Sequence, residues 1–92
     1  MTAAMNAYRD DWLRAVIKDK AVSRGAWLVA SAIACAMGRG NVAPTDWQSL
    51  NVSLRRERTN LAVLDSISEL QSAGYLGNGG AHSHGWLLTL PG

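Results

Sequence analysis

The chain holds a single cysteine, Cys35. It can close no internal disulfide, which agrees with a reducing compartment. It also lacks a long hydrophobic run: the apolar stretch from Gly25 to Gly38 falls short of the roughly 20 residues that a membrane-spanning helix needs. The basic-then-apolar order of a secretory signal is missing from the N-terminus, so the expected location is the cytoplasm, with no membrane partner. Catalytic signatures are missing as well. There is no Gly-x-Gly-x-x-Gly after a strand, no P-loop and no nucleophile elbow. Cys35 falls inside an apolar helix, where packing is expected of it rather than nucleophilic attack. Asp10 and Asp11 are adjacent and cannot share one helix face as a catalytic pair. Neither an enzyme nor a cofactor is expected.

What is present fits one small folded domain over residues 1–92, with residues 1–5 as a loose end. The net charge is only +2, but its placement is uneven. No Lys or Arg follows Arg58, and no Asp or Glu lies between Lys20 and Asp46. Phosphate contacts, if the chain makes them, should come from its first two-thirds.

The apolar spacing predicts four helices. Asn6 can cap the first, over 6–18, with Asp10 and Asp11 near its positive end and Tyr8, Trp12, Leu13, Val16 and Ile17 on one face. Ser23 can cap the second, over 23–37, which is apolar nearly all round and should be buried on most sides. Thr45 and Gln48 have the form of a capping box for a third, over 45–54. The fourth, over 59–73, puts Val63, Leu64, Ile67 and Leu70 on a core face, with Asp65, Glu69 and Ser72 opposite. It stops at Gly74. Asn41–Ala43 can form a very short strand. Tyr75-Leu76 and Trp86–Leu90 read as a hairpin over 75–90, joined by a Gly-rich loop. The four tryptophans come from different elements and are all expected in the core. The expected fold class is mainly α (α+β).

This order of helices and short strands, with a helix ending in Gly74-Tyr75-Leu76 ahead of a hairpin, resembles the winged helix-turn-helix superfamily over most of the chain. The opening Ser23-Arg24-Gly25-Ala26-Trp27 is similar to that of small regulators and replication-associated proteins of actinobacterial phages and plasmids. The resemblance implies double-stranded DNA binding, with the fourth helix entering the major groove by its N-terminal end and the wing lying along the backbone. It also implies a Ser or Thr cap on that helix, which falls on Thr59, with Val63, Ile67 and Leu70 as matching core residues. One departure concerns the Leu-Gly-Val-Ser turn usual in such families. Its nearest match, Leu50-Asn51-Val52-Ser53, lies six residues early. The recognition helix therefore starts at Ser53 or at Thr59, and Thr59 is favoured.

Either register brings Arg55, Arg56, Arg58, Thr59 and Asn60 to the corner that would face DNA. A guanidinium fork suits phosphate or guanine, and Asn60 suits an adenine edge. The alternative is a solvated surface segment in which Glu57 pairs an arginine at little net gain. Arg39 and, on the wing, Asn78, His82 and His84 are further candidate contacts. His82-x-His84 offers only half of a metal site, and no other histidine is present to complete it, so no metal is expected.

The first expectation is thus a DNA-binding regulator or replication accessory factor from a mobile element. Winged-helix regulators often dimerise, and the first helix, with Tyr8 and Trp12, is the expected homodimer surface. The rival expectation is a winged helix used for protein–protein contact, for instance with a host factor. Exposed Leu61 and the acidic outward face of the fourth helix favour it.

Overall fold

A computed structural model describes residues 3–38, 41–78 and 85–91. Among these, four helices and three strands occur: α1 (Ala3–Lys18), α2 (Arg24–Cys35), β1 (Val42–Ala43), α3 (Trp47–Ser53), α4 (Ala62–Ser72), β2 (Leu76–Asn78) and β3 (Trp86–Leu88). The strands form one antiparallel sheet in the order β1-β3-β2, with Val42 opposite Leu87 and Leu76 opposite Leu88. The fold class is α+β with helix predominating.

One apolar cluster joins all these elements. Trp12, Val16, Val29, Ile33, Leu50, Val63, Leu70 and Leu88 are its most deeply buried large apolar members. Trp27, Trp47 and Trp86 pack against it while half-buried, so only Trp12 is fully enclosed. Leu64 and Ile17, both expected in the core, sit at its rim and are exposed. Each belongs to an apolar stripe wider than the surface its helix has to bury.

Several expected helix ends move. α1 begins at Ala3, not at an Asn6 cap, so Asp10 and Asp11 lie mid-helix and do not face its N-terminal dipole. They stand instead beside Arg9 and Arg14, at 3.8 and 3.5 Å, as surface ion pairs of small worth. The Ser23 cap on α2 holds, its Oγ accepting from the Ala26 N–H at 3.3 Å. The helix ends at Cys35 rather than Met37, because Ala36 and Met37 close the last turn with tighter bonds to Ile33 and Ala34. On α3 the cap is Asp46 and not Thr45. The Asp46 carboxylate accepts from the Ser49 N–H at 2.7 Å, one residue along from the expected box.

α4 stops as its glycine implies. Gly74 takes φ +91°, the Tyr75 N–H reaches the Leu70 carbonyl at 2.9 Å, and the Gly74 N–H reaches that of Gln71 at 3.1 Å. These two bonds make a Schellman ending, with Leu70 and Tyr75 supplying its apolar contact. A second glycine is fixed by crowding: a Cβ on Gly85 would overlap the carbonyl oxygen of Ala43, where β1 meets the start of β3.

α1 is tied to the far end of the chain. The Tyr8 hydroxyl donates to the Leu88 carbonyl at 2.7 Å, and the Trp12 indole N–H donates to the Tyr75 carbonyl at 2.9 Å. The Trp12 and Tyr75 rings meet edge to face, with centroids 6.5 Å apart. The side chains expected to greet a second copy are therefore used inside one chain. An exposed aromatic pair on a first helix and a pair folded back onto a hairpin share one sequence pattern.

Candidate functional site

The eight residues between α3 and α4, Leu54 to Leu61, carry the arginine cluster. Neither expected register describes them fully. α3 ends at Ser53, and α4 begins only at Ala62, beyond the Thr59 expected to cap it. Thr59 is an exposed loop residue. The N-cap of α4 is Leu61, which makes no side-chain cap bond; one residue before it, the Asn60 Oδ1 accepts from the Ala62 N–H at 2.9 Å. An adenine edge needs both the oxygen and the amide of an Asn side chain. One of the two acceptor positions of that oxygen is engaged here, so Asn60 also shapes the entry to α4.

The loop starts with a second Schellman ending. The Arg56 N–H reaches the Asn51 carbonyl at 2.8 Å, and the Arg55 N–H reaches that of Val52 at 3.0 Å. Arg55 is the left-handed residue of this motif, with φ +59°. Glycine is the usual occupant there, because a Cβ in that conformation costs about 1–2 kcal/mol.

The loop is then held from beneath by Asn51, a residue the sequence reading passed over. Asn51 is fully buried. Its Nδ2 donates to the Arg58 carbonyl at 3.0 Å and to the Asn60 carbonyl at 2.9 Å. Turning the amide over would set its oxygen against two carbonyls, so these two bonds fix its orientation. Its Oδ1 has no partner among the described residues. Burying such an acceptor is unfavourable, and the two donated bonds offset that cost. One buried side chain thus sets the path of the backbone from Arg58 to Asn60.

Above this anchor, Arg55, Arg58 and Thr59 are exposed, and Arg56 and Asn60 are half-buried. The loop's one acid, Glu57, is exposed and lies within 4.0 Å of no Lys or Arg nitrogen among the described residues. Asp46 lies close enough to feel Arg58. Its carboxyl is held below the usual range mainly by the Ser49 N–H and Ser49 side chain, with a smaller pull from the Arg58 charge.

The acidic face expected along α4 is smaller than its sequence implies. Glu69 turns to the start of α2, where its carboxylate accepts from the Ser23 N–H and, at 2.9 Å, from the Ser23 hydroxyl. It stands at the positive end of the α2 dipole, a favourable place for a carboxylate. Asp65 and the apolar Leu61 and Leu64 remain on the exposed side.

Of the other candidates, Asn78 is the last residue of β2, opposite Trp86, and its side chain lies outside the described residues. Arg39, His82 and His84 also lie outside them. Cys35 is not packed in the core but exposed on α2, since that helix buries only the side carrying Ala26, Val29, Ala30, Ile33 and Ala34. Among the described residues, no group of three His, Cys, Asp or Glu side chains is placed to hold a metal, and no helix is long and apolar enough to cross a membrane. No protein-family model matches the chain, and comparison with curated proteins and with solved structures returns no match.

Proposed function

We propose that the chain is a double-stranded DNA-binding protein of the winged helix-turn-helix type, acting as a small transcriptional regulator or as an accessory factor in the replication of a mobile element. The observation that carries this reading is Arg55 in the left-handed place at the end of α3. A side chain kept in a conformation that glycine adopts freely argues that its charge is needed there. The element order supports the same reading. After α1 come a helix, a strand, two helices and a hairpin, with β3 between β1 and β2. This is the order expected of a winged helix. In this arrangement Arg55, Arg58 and Thr59 meet phosphates or a guanine edge, Asn51 and Asn60 fix the loop that carries them, and α4 approaches the major groove by its N-terminal end.

A gel shift on random and genomic duplex across a salt series tests it. Binding should weaken steeply with salt, and Arg55→Ala/Arg56→Ala/Arg58→Ala should abolish it. If the triple variant holds random duplex as well as the parent does, this corner is not the DNA surface.

A second reading, a winged helix that binds protein, is favoured by Leu61. This leucine is 64% exposed at the start of α4, next to Leu64 and Asp65. Under that reading the triple arginine variant keeps its partner, and Leu61→Ser loses it.

A further inference from the structure

We propose that Leu61 is a specificity residue of the DNA site, packing on the C5-methyl group of a thymine in the major groove. This inference rests on the DNA reading above and deepens it. Leu61 is 64% exposed, more than any other large apolar side chain among the described residues. It is also the N-cap of α4, where a polar side chain would accept from a free N–H of the first turn, and it makes no such bond. The Asn60 Oδ1 takes the Ala62 N–H from one residue earlier. Neither core packing nor capping therefore accounts for a leucine at this position.

The backbone on either side of this leucine is fixed. The Asn51 Nδ2 holds the Asn60 carbonyl at 2.9 Å, one peptide before Leu61, and the Leu61 carbonyl accepts from the Leu64 N–H at 3.0 Å. An apolar side chain is thus kept at a defined place shortly after exposed Arg58 and Thr59. Nearby acids decide the approach. Asp65 lies one turn on from Leu61, exposed, so phosphates are repelled from the flank of α4 and admitted at its N-terminal end. Glu57 shares the loop with Arg55, Arg56 and Arg58, which outnumber it, and the Asp46 carboxylate is engaged with Ser49. A duplex brought to that end offers its phosphates to the arginines. On the base edges of its major groove it offers one apolar group, the thymine methyl. A leucine set beside arginines suits that mixture of charge and methyl.

Uracil differs from thymine only by this methyl and keeps the same pairing, which makes the test direct. Duplexes retained by the full chain from a random library are remade with deoxyuridine in place of each thymine in turn. Replacing one thymine should weaken binding about fourfold, the worth of one buried methyl group, and the others should matter little. Leu61→Ala should weaken the thymine duplex by a similar factor and hold the thymine and uracil forms equally. Leu61 is exposed, so the variant should keep the parent's circular dichroism. The proposal is overturned if no deoxyuridine weakens the parent, or if Leu61→Ala still prefers thymine. In either case, salt-dependent binding that Arg55→Ala/Arg56→Ala/Arg58→Ala abolishes leaves the DNA reading standing. A parent chain that retains no duplex overturns both, and a protein partner lost with Leu61→Ser would then assign the leucine to that partner.

Discussion

Arg55 and Gly74 occupy the same place in two copies of one motif. Each follows the cap of a helix in a left-handed conformation, at φ +59° and +91°, and each closes its helix with the same pair of backbone bonds. The helix that ends in glycine leads into the sheet. The helix that ends in arginine leads into the loop proposed to meet DNA.

Replacing Arg55 should therefore separate stability from binding. Arg55→Gly removes the Cβ strain and should stabilise the fold by about 1 kcal/mol, raising Tm by roughly 4–8 °C. Arg55→Ala keeps the strain and should leave Tm nearly unchanged. Both should lower duplex affinity. A thermal melt paired with a gel shift checks this, and an Arg55→Gly variant that melts earlier than the parent would count against the strain.

The reverse change at Gly74 should be harmful. Gly74→Ala puts a Cβ into the left-handed conformation and within 3.0 Å of the Pro91 side chain. A loss of at least about 1–2 kcal/mol is expected in urea unfolding. Gly85→Ala should cost more, because the atom it would strike belongs to the backbone of Ala43 and cannot move aside alone.

Asn51 should matter to both folding and binding. Asn51→Ala leaves the Arg58 and Asn60 carbonyls without their donor and opens a small void, for an expected loss of about 2–4 kcal/mol. At a temperature where the variant is still folded, duplex affinity should fall although every arginine is present. In the Arg55→Ala/Arg56→Ala/Arg58→Ala background, Asn51→Ala should change stability but add nothing to the binding defect.

Much of the fold was legible because its signals are local. Ser23 as a cap, Gly74 as a stop and the Val63, Ile67 and Leu70 stripe depend only on neighbours within a turn or two. The site was less legible. Asn51 reads as an ordinary polar residue in a short helix, since the carbonyls that make it an anchor lie seven and nine residues downstream. Glu69 reads as a surface acid, because its partner Ser23 is 46 residues away. Cys35 was misplaced for a different reason. A helix rich in alanine looks apolar on every side, and only the packing decides which side is covered.

Salt dependence should count the arginines. Each phosphate contact on duplex DNA contributes about 0.9 to the slope of log affinity against log salt. Arg58→Ala should lower that slope by about 1 if Arg58 holds a phosphate. An unchanged slope with reduced affinity for one sequence would assign Arg58 to a base edge.

The Tyr75–Asp19 bond gives the fold two pH limits. The Asp19 carboxyl is held below its usual range by the Ala21 N–H and then by the Tyr75 hydroxyl at 2.8 Å. The stability it contributes is present above the ordinary carboxylate range and is lost as pH falls through the lowered value. The Tyr75 phenol is pushed up to about 12, first by burial, then by its bond to Asp19 and by the Asp19 charge. Its contribution is present below the ordinary phenol value of ~10 and is lost as pH rises toward 12. An ultraviolet titration should find this phenol ionising only near 12. Asp19→Asn should bring it down, and Tyr75 ionising near the ordinary value in the folded parent would refute the linkage.

α1 packs on α2, but its bond from Tyr8 to Leu88 joins residues 80 positions apart, so its docking is complete only once β3 is in place. During synthesis the Tyr8 hydroxyl has no Leu88 carbonyl to meet until β3 has been made. A nascent chain stalled before β3 should still be cut by protease within α1, and one released past Leu88 should resist.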